Sequence, residues 1–425
     1  MVGVFLFWGS PMSKTTRDGR KLTARTEAVH GGTNRTPFGE TSEAMFLTSG
    51  YVYETMEAAE RRFKNEEPGF IYSRFSNPTV RMFEERMIAL EGAEDARATA
   101  TGMAAVTSAM LCYLKAGDHV LSSRALFGSC RYIVEDLLPK FGVTSTLVDG
   151  RDLDAWKKAV QPNTKVLFLE TPSNPTLEII DIKAVADIAH AAGAKLFVDN
   201  VFATPVLQRP MELGADVVIY SATKHIDGQG RCLGGIVLAD QQFIADHLAN
   251  FLRQTGPSLS PFNAWVMLKS LETLDLRVRE HARGAEAVAR FLEGHKGIGR
   301  VFYPGLPSHP QHNLAISQMD MGGNIVAFEV KGGKEGAFRF ANGLQVVKIS
   351  NNLGDSKSLI THPATTTHQR LTQEAREELG INEGLAVPYT HLTLPTIYSV
   401  YISVVAVSLK KKTMKLLTVY YLVSH

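Results

Sequence analysis

The chain predicts an α/β fold built on a mostly parallel sheet with helices on both faces. Two observations carry this. From about residue 95 to 240, strand-like runs alternate with stretches of helical periodicity, the pattern of repeated βα units. Successive strand-like runs also end in polar residues, so that Glu170 and Asn174, then Asp199 and Asn200, then Ser221, Thr223 and Lys224 arrive at one rim. In open sheets of this kind ligands bind beyond the carboxyl ends of the strands.

Taken in order, the expected strands are residues 119–122, 144–148, 166–170, 195–199 and 217–220. The helix expected over 181–192 carries Ile182, Val185, Ile188 and Ala189 on one face. Residues 20–80 are rich in Thr, Gly and Phe and read as an extended arm. After the Gly256-Pro257-Ser258 linker, helices are expected over 261–274 and 277–293, followed by a second α/β segment. The implied organisation is an N-terminal extension (1–22), an arm (23–80), a large domain (81–255), a small domain (256–385) and a tail (386–425). Met12, followed by a polar stretch, is a plausible start.

Composition bounds the function classes. With 425 residues, 44% hydrophobic and 21% charged, the chain can bury a substantial core. Forty-five Lys plus Arg against 43 Asp plus Glu give a net charge of +2, which offers no field for nucleic acid or an anionic membrane and leaves small molecules as the default partner. Cys112, Cys130 and Cys232 lack the spacing of a disulfide framework or a thiolate metal site and fit a reducing cytoplasm. His309, His312, His362 and His368 lack a supporting ligand set, so no metal is expected. The tail has no Gly, Asp, Glu or Arg, and its β-prone, charge-poor composition points to sequence foreign to the fold. It holds no run of about 20 apolar residues that would span a membrane.

Lys224 is the centre of the chemistry. It closes the apolar run Val217-Val-Ile-Tyr and precedes Gly228, Gly230, Gly234 and Gly235, a setting that hydrates an ammonium poorly. Desolvation lowers a lysine pKa and frees the amine for Schiff-base chemistry, which makes a carbonyl cofactor such as pyridoxal phosphate the first candidate. Gly102 and Met103, at the start of a helical run, offer backbone amides to a phosphate. Asp199, ending a buried strand, can hold a pyridine nitrogen protonated, and Phe127 can cover a flat ring. Each has an ordinary alternative: a plain strand-end lysine, a packing glycine, a capping aspartate, a core aromatic. Their coincidence favours the chemical reading. No dinucleotide fingerprint, P-loop or nucleophile elbow competes with it.

The strings Tyr72-Ser-Arg-Phe-Ser-Asn-Pro-Thr, Thr101-Gly-Met-Ala-Ala, Glu170-Thr-Pro-Ser-Asn-Pro, Val198-Asp-Asn and Ser221-Ala-Thr-Lys-His resemble the Cys/Met-metabolism family of pyridoxal-phosphate enzymes, from about residue 23 to 385. The resemblance implies the fold type I, aspartate-aminotransferase-like architecture, with a smaller C-terminal α/β domain. It implies that Lys224 forms the Schiff base with pyridoxal 5'-phosphate, that Asp199 pairs with the ring nitrogen, and that Ser221 and Thr223 join Gly102 and Met103 at the phosphate. Asn174 is then expected at the ring hydroxyl, Phe127 where many relatives stack a tyrosine, and Asn352 beside the substrate carboxylate. Tyr72 and Arg74 are expected to reach the phosphate of a neighbouring subunit in a homotetramer of two dimers.

Residues 38–53 and 351–368 look most like the branch that replaces the acyl group of O-succinylhomoserine with sulfide, giving homocysteine for methionine biosynthesis. Branches acting on O-acetylhomoserine, or using cysteine as thiol, lie close behind. One departure stands out. After Leu385 the family continues into a segment whose arginine clamps the substrate carboxylate, whereas this chain reads Ala386-Val-Pro-Tyr-Thr-His.

Overall fold

The computed structural model describes residues 22–389; residues 1–21 of the N-terminal extension, Met12 among them, and the tail beyond Tyr389 lie outside the described residues. A seven-stranded sheet forms the centre. Its strands are β1 (Asp95–Thr99), β2 (His119–Ser123), β3 (Thr144–Val148), β4 (Thr164–Glu170), β5 (Lys195–Asp199), β6 (Val217–Ser221) and β7 (Gly235–Ala239). They lie in the order β1-β7-β6-β5-β4-β2-β3. Pairs β2/β3, β2/β4, β4/β5 and β5/β6 are parallel, while β7 runs antiparallel to both β6 and β1.

The expected parallel sheet is present, with two additions. β1 escaped the sequence reading because Asp-Ala-Arg-Ala-Thr is a poor strand former, and only pairing with β7 extends it. β7 was hidden behind the glycine-rich turn it follows. Central strands are dry on both faces: Val166, Leu167, Phe168 and Leu169 of β4 and Leu196, Phe197 and Val198 of β5 are fully buried.

The helices that position the rim have clear start signals. Asn77 caps the helix Pro78–Glu91 by accepting from the amides of Thr79 and Val80, Pro78 fits the first turn, and Gly92 at φ 84° ends it. Thr101 caps the helix Gly102–Leu111 through the Ala104 amide. The helix expected over 181–192 is Ile182–Ala191, because Asp181 and Ala192 serve as its caps. In the arm, helices Ala24–His30 and Met56–Phe63 interrupt the otherwise irregular backbone.

Beyond the linker the helices are Pro261–Leu271 and Leu274–Glu293, so the break falls earlier than the sequence suggested. Leu274, Val278 and Ala282 of the second helix pack into the core under the large sheet, whereas Ala285, Val288, Ala289 and Leu292 pack into a second core. One helix thus ties the two cores together. The second core lies against a five-stranded sheet, in the order β10-β11-β12-β9-β8. Its strands are β8 (Ile298–Phe302), β9 (Ala327–Val330), β10 (Lys348–Ile349), β11 (Leu359–Thr361) and β12 (Leu385–Tyr389). Ala386, Val387 and Pro388, the first residues past the sequence departure, are strand residues here, paired with Phe328, Thr361 and Ile360.

Candidate active site

Three strand ends build the site. Glu170 and Asp199 are register partners at the carboxyl ends of β4 and β5, and Ser221 ends β6. Gly102 must be glycine, because an added Cβ would stand 2.5 Å from Ser221 Cβ and the helix start would be pushed off the strand end. The first amides of the Gly102–Leu111 helix therefore lie beside Ser221 and form a cradle suited to a phosphate group. The Thr223 hydroxyl is held in the loop by its exchange with Gly234, accepting from the amide at 3.1 Å and donating to the carbonyl at 3.2 Å.

Lys224 is half-buried, and burial lowers its pKa. Its Nζ donates to Asn352 Oδ1 at 3.1 Å, which brings the loop between β10 and β11 to the reactive amine. The Lys224 loop is clamped from below by Arg277, whose guanidinium is buried and donates to the carbonyls of His225 at 2.7 Å and Ser270 at 2.9 Å. Gly228 gives that guanidinium its room, since a Cβ there would fall 1.9 Å from Nη1. His225 is also buried, and its two ring nitrogens have no hydrogen-bond partner among the described residues. Burial, then the neighbouring His281, Arg277 and Lys224, keep it neutral.

Asp199 accepts from the Val201 amide at 3.1 Å, and Cys130 Sγ lies 3.9 Å from its other oxygen. Burial lifts the Asp199 carboxyl to about 7 against the help of those two donors. A cationic ring nitrogen in front of it would be the natural partner. Phe127 stands on the loop after β2, its amide 2.6 Å from Glu170 Oε2. Asn174 is buried in the turn after β4, between the cis peptides at Pro172 and Pro175.

Gly102, Met103, Phe127, Asn174, Asp199, Ser221, Thr223, Lys224 and Asn352 thus come from the rim and from the loop between β10 and β11. Tyr72 and Arg74 do not join them within one chain. Both are exposed, with Arg74 over the rings of Tyr72 and Phe75 and bonded to the Arg253 carbonyl. Cys130 and Arg277 were missed, as neither sits in a recognisable string; Glu170 was placed on the rim but given no part.

The residues present fit pyridoxal phosphate: a desolvated amine, an anion cradle that only glycine permits, and a buried carboxylate with no cation beside it among the described residues. The model for "Cys/Met metabolism PLP-dependent enzyme" matches residues 25–386. The chain belongs to that family. An O-succinylhomoserine sulfhydrylase from Pseudomonas aeruginosa is 52% identical over 360 residues, 85% of this chain and 89% of the relative. An L-methionine gamma-lyase from Porphyromonas gingivalis is 42% identical over 362 residues, 85% of this chain and 91% of the relative. Among solved structures, a Campylobacter jejuni chain described as a candidate O-acetylhomoserine (thiol)-lyase, which carries a pyridoxyl-lysine phosphate, superposes with a TM-score of 0.86 at 32% identity, covering 90% of this chain and 100% of that one. Family membership makes pyridoxal phosphate the cofactor of this chain. Among the described residues no helix is long and apolar enough to cross a membrane, and no cluster of His, Cys, Asp or Glu could hold a metal.

Proposed function

We propose that the chain replaces the succinyl group of O-succinylhomoserine with sulfide, releasing homocysteine and succinate. The observation that carries this reading is the desolvated Lys224 amine, 3.1 Å from Asn352 Oδ1, at a rim shaped for pyridoxal phosphate, in a chain half identical to an enzyme named for that reaction. Bound cofactor supplies an electron sink for negative charge on the substrate carbons. The Gly102 and Met103 amides, with the Ser221 and Thr223 hydroxyls, hold its phosphate. Asp199 would face the ring nitrogen, Asn174 the ring hydroxyl, and Phe127 would cover the ring face. Lys224 Nζ, its pKa lowered by burial, would take a proton from Cα and then one from Cβ as succinate leaves Cγ; hydrosulfide would add at Cγ, and protons would return to Cβ and Cα. Asn352 Oδ1 steadies that amine whenever it carries the extra proton.

Tyr72 and Arg74 complete the phosphate site of a second copy, in a cytoplasmic homotetramer of two dimers. Support comes from the arm itself, where Phe38, Val52 and Met56 are 93%, 94% and 82% exposed and call for a partner surface. A γ-synthase using cysteine or a γ-lyase is the second reading, favoured by the gamma-lyase relative. The lack of any arginine in residues 386–425 favours a further one, a cofactor-loaded protein with weak turnover.

Assays with O-succinylhomoserine plus sulfide, against O-succinylhomoserine plus cysteine and against methionine alone, separate these. Sulfide-dependent homocysteine release is expected to dominate. Lys224→Ala is expected to remove the absorbance of lysine-bound cofactor and all turnover; a variant that keeps either one overturns the assignment.

A further inference from the structure

Glu170 and Asp199 end adjacent parallel strands as direct register partners, and both side chains are buried, at 3% and 7% exposure. Two carboxylates in that position cannot both ionise at modest cost, because each loses its hydration and faces the other's charge. The side chains packed around them do not relieve it. From the helix Gly128–Tyr132 comes the neutral Cys130 thiol, and from β6 the Tyr220 hydroxyl, itself committed to Glu91 and to Asn200. Among the described residues neither carboxyl makes an ion pair with a lysine, arginine or histidine, so one proton must be kept between them.

The two carboxyls are not equivalent. Asp199 is the carboxyl that the cofactor reading pairs with the ring nitrogen. Glu170 instead accepts from the Phe127 amide at 2.6 Å and from the backbone amide of Asn174. These are the residues that the same reading puts over the ring face and at its hydroxyl. A single side chain therefore ties the backbone of two residues that surround the ring.

We propose that Glu170 is a positioning residue of this site: it stays neutral beside Asp199, leaving the pair one negative charge, and its carboxyl sets the backbone of Phe127 and Asn174. This rests on the cofactor reading above and deepens it. Burial, then the neighbouring Asp199 charge, push the Glu170 carboxyl far above its ordinary range, in the direction the geometry requires. If Glu170 carried a charge too, the ring would face a dianion, and the proton that belongs on its nitrogen would compete with one drawn to Glu170.

The test compares wild type with Glu170→Gln and Glu170→Ala, using purified protein with and without added pyridoxal phosphate. At neutral pH the infrared difference, wild type minus E170Q, is expected to show the carbonyl stretch of a protonated carboxylic acid, and to keep it when the cofactor is bound. Cofactor affinity is expected to fall about tenfold or more in E170A, with most of it regained in E170Q, whose carbonyl can still accept from Phe127. Absence of the infrared band, or E170Q binding as poorly as E170A, overturns the proposal. Should E170A fail to fold, the infrared difference from E170Q still decides the protonation state. Failure of the wild type to take up the cofactor would instead defeat the reading on which this one rests, and would show directly as missing absorbance at Lys224.

Discussion

At the scale of single residues, charge and burial make opposite demands, and the structure meets them by pairing or by keeping a proton. Glu91 keeps one. It is fully buried with its carboxyl against the Tyr220 hydroxyl and the Met211 amide, and burial raises it from 4.5 to about 8 in spite of them. The folded chain then holds a proton that the unfolded chain releases between those values. Stability from this group is full below pH 4.5 and is lost as pH rises through 8. Glu91→Gln is expected to flatten that decline, read as the difference between wild-type and variant denaturation midpoints from pH 5 to 9. Lys224 and Asp199 were legible in the sequence, since each ends an apolar run. Glu91 and Glu170 were not, because a carboxylate's meaning depends on what its neighbours in space leave it, and string position does not record that.

Between elements, the junctions are held by a few buried polar contacts. Glu43, in the irregular arm, accepts from Arg86 of the helix Pro78–Glu91 at 2.7 Å and from Lys269 of the helix Pro261–Leu271 at 2.9 Å. Burial alone would raise its carboxyl, but the Lys269 and Arg86 hydrogen bonds outweigh it and bring it down to about 2. Arg86 is wholly buried, and without Glu43 its charge keeps only the more distant Glu272, at 3.9 Å, as a carboxylate partner among the described residues. Glu43→Gln is expected to cost about 3 kcal/mol or more by denaturant titration. It should also remove a stability term that is present above pH 4.5 and lost as pH falls through about 2. The arm's irregularity was legible from its Thr, Gly and Phe content, but its anchoring was not, since Glu43 and Lys269 lie more than 200 residues apart.

For the whole molecule, the exposed side chains of the arm pose the question of what covers them. Phe38 and Val52 stand almost fully in water, while Tyr72 and Arg74 lie away from the Lys224 site of their own chain. If a second copy covers them, the double variant Phe38→Asp with Val52→Asp is expected to sediment as a smaller species. Cofactor affinity is expected to fall with it, because the phosphate would lose Tyr72 and Arg74. An unchanged sedimentation coefficient would place the subunit contact elsewhere.

From the sequence alone came the α/β class, the parallel direction of the middle strands, and the string that carries Lys224. These are local: hydrophobic period, turn residues and caps act within a dozen residues. Tertiary structure decided that Asp-Ala-Arg-Ala-Thr becomes a strand, that a single helix serves two cores, and that Ala386 to Pro388 are drawn into a sheet. It also set Glu170 beside Asp199 and Asn352 against the Lys224 amine. The reason is the same in each case. Strand pairing, shared burial and the competition for one proton arise only when distant segments exclude water together, and their energies belong to the contact and not to either stretch of chain.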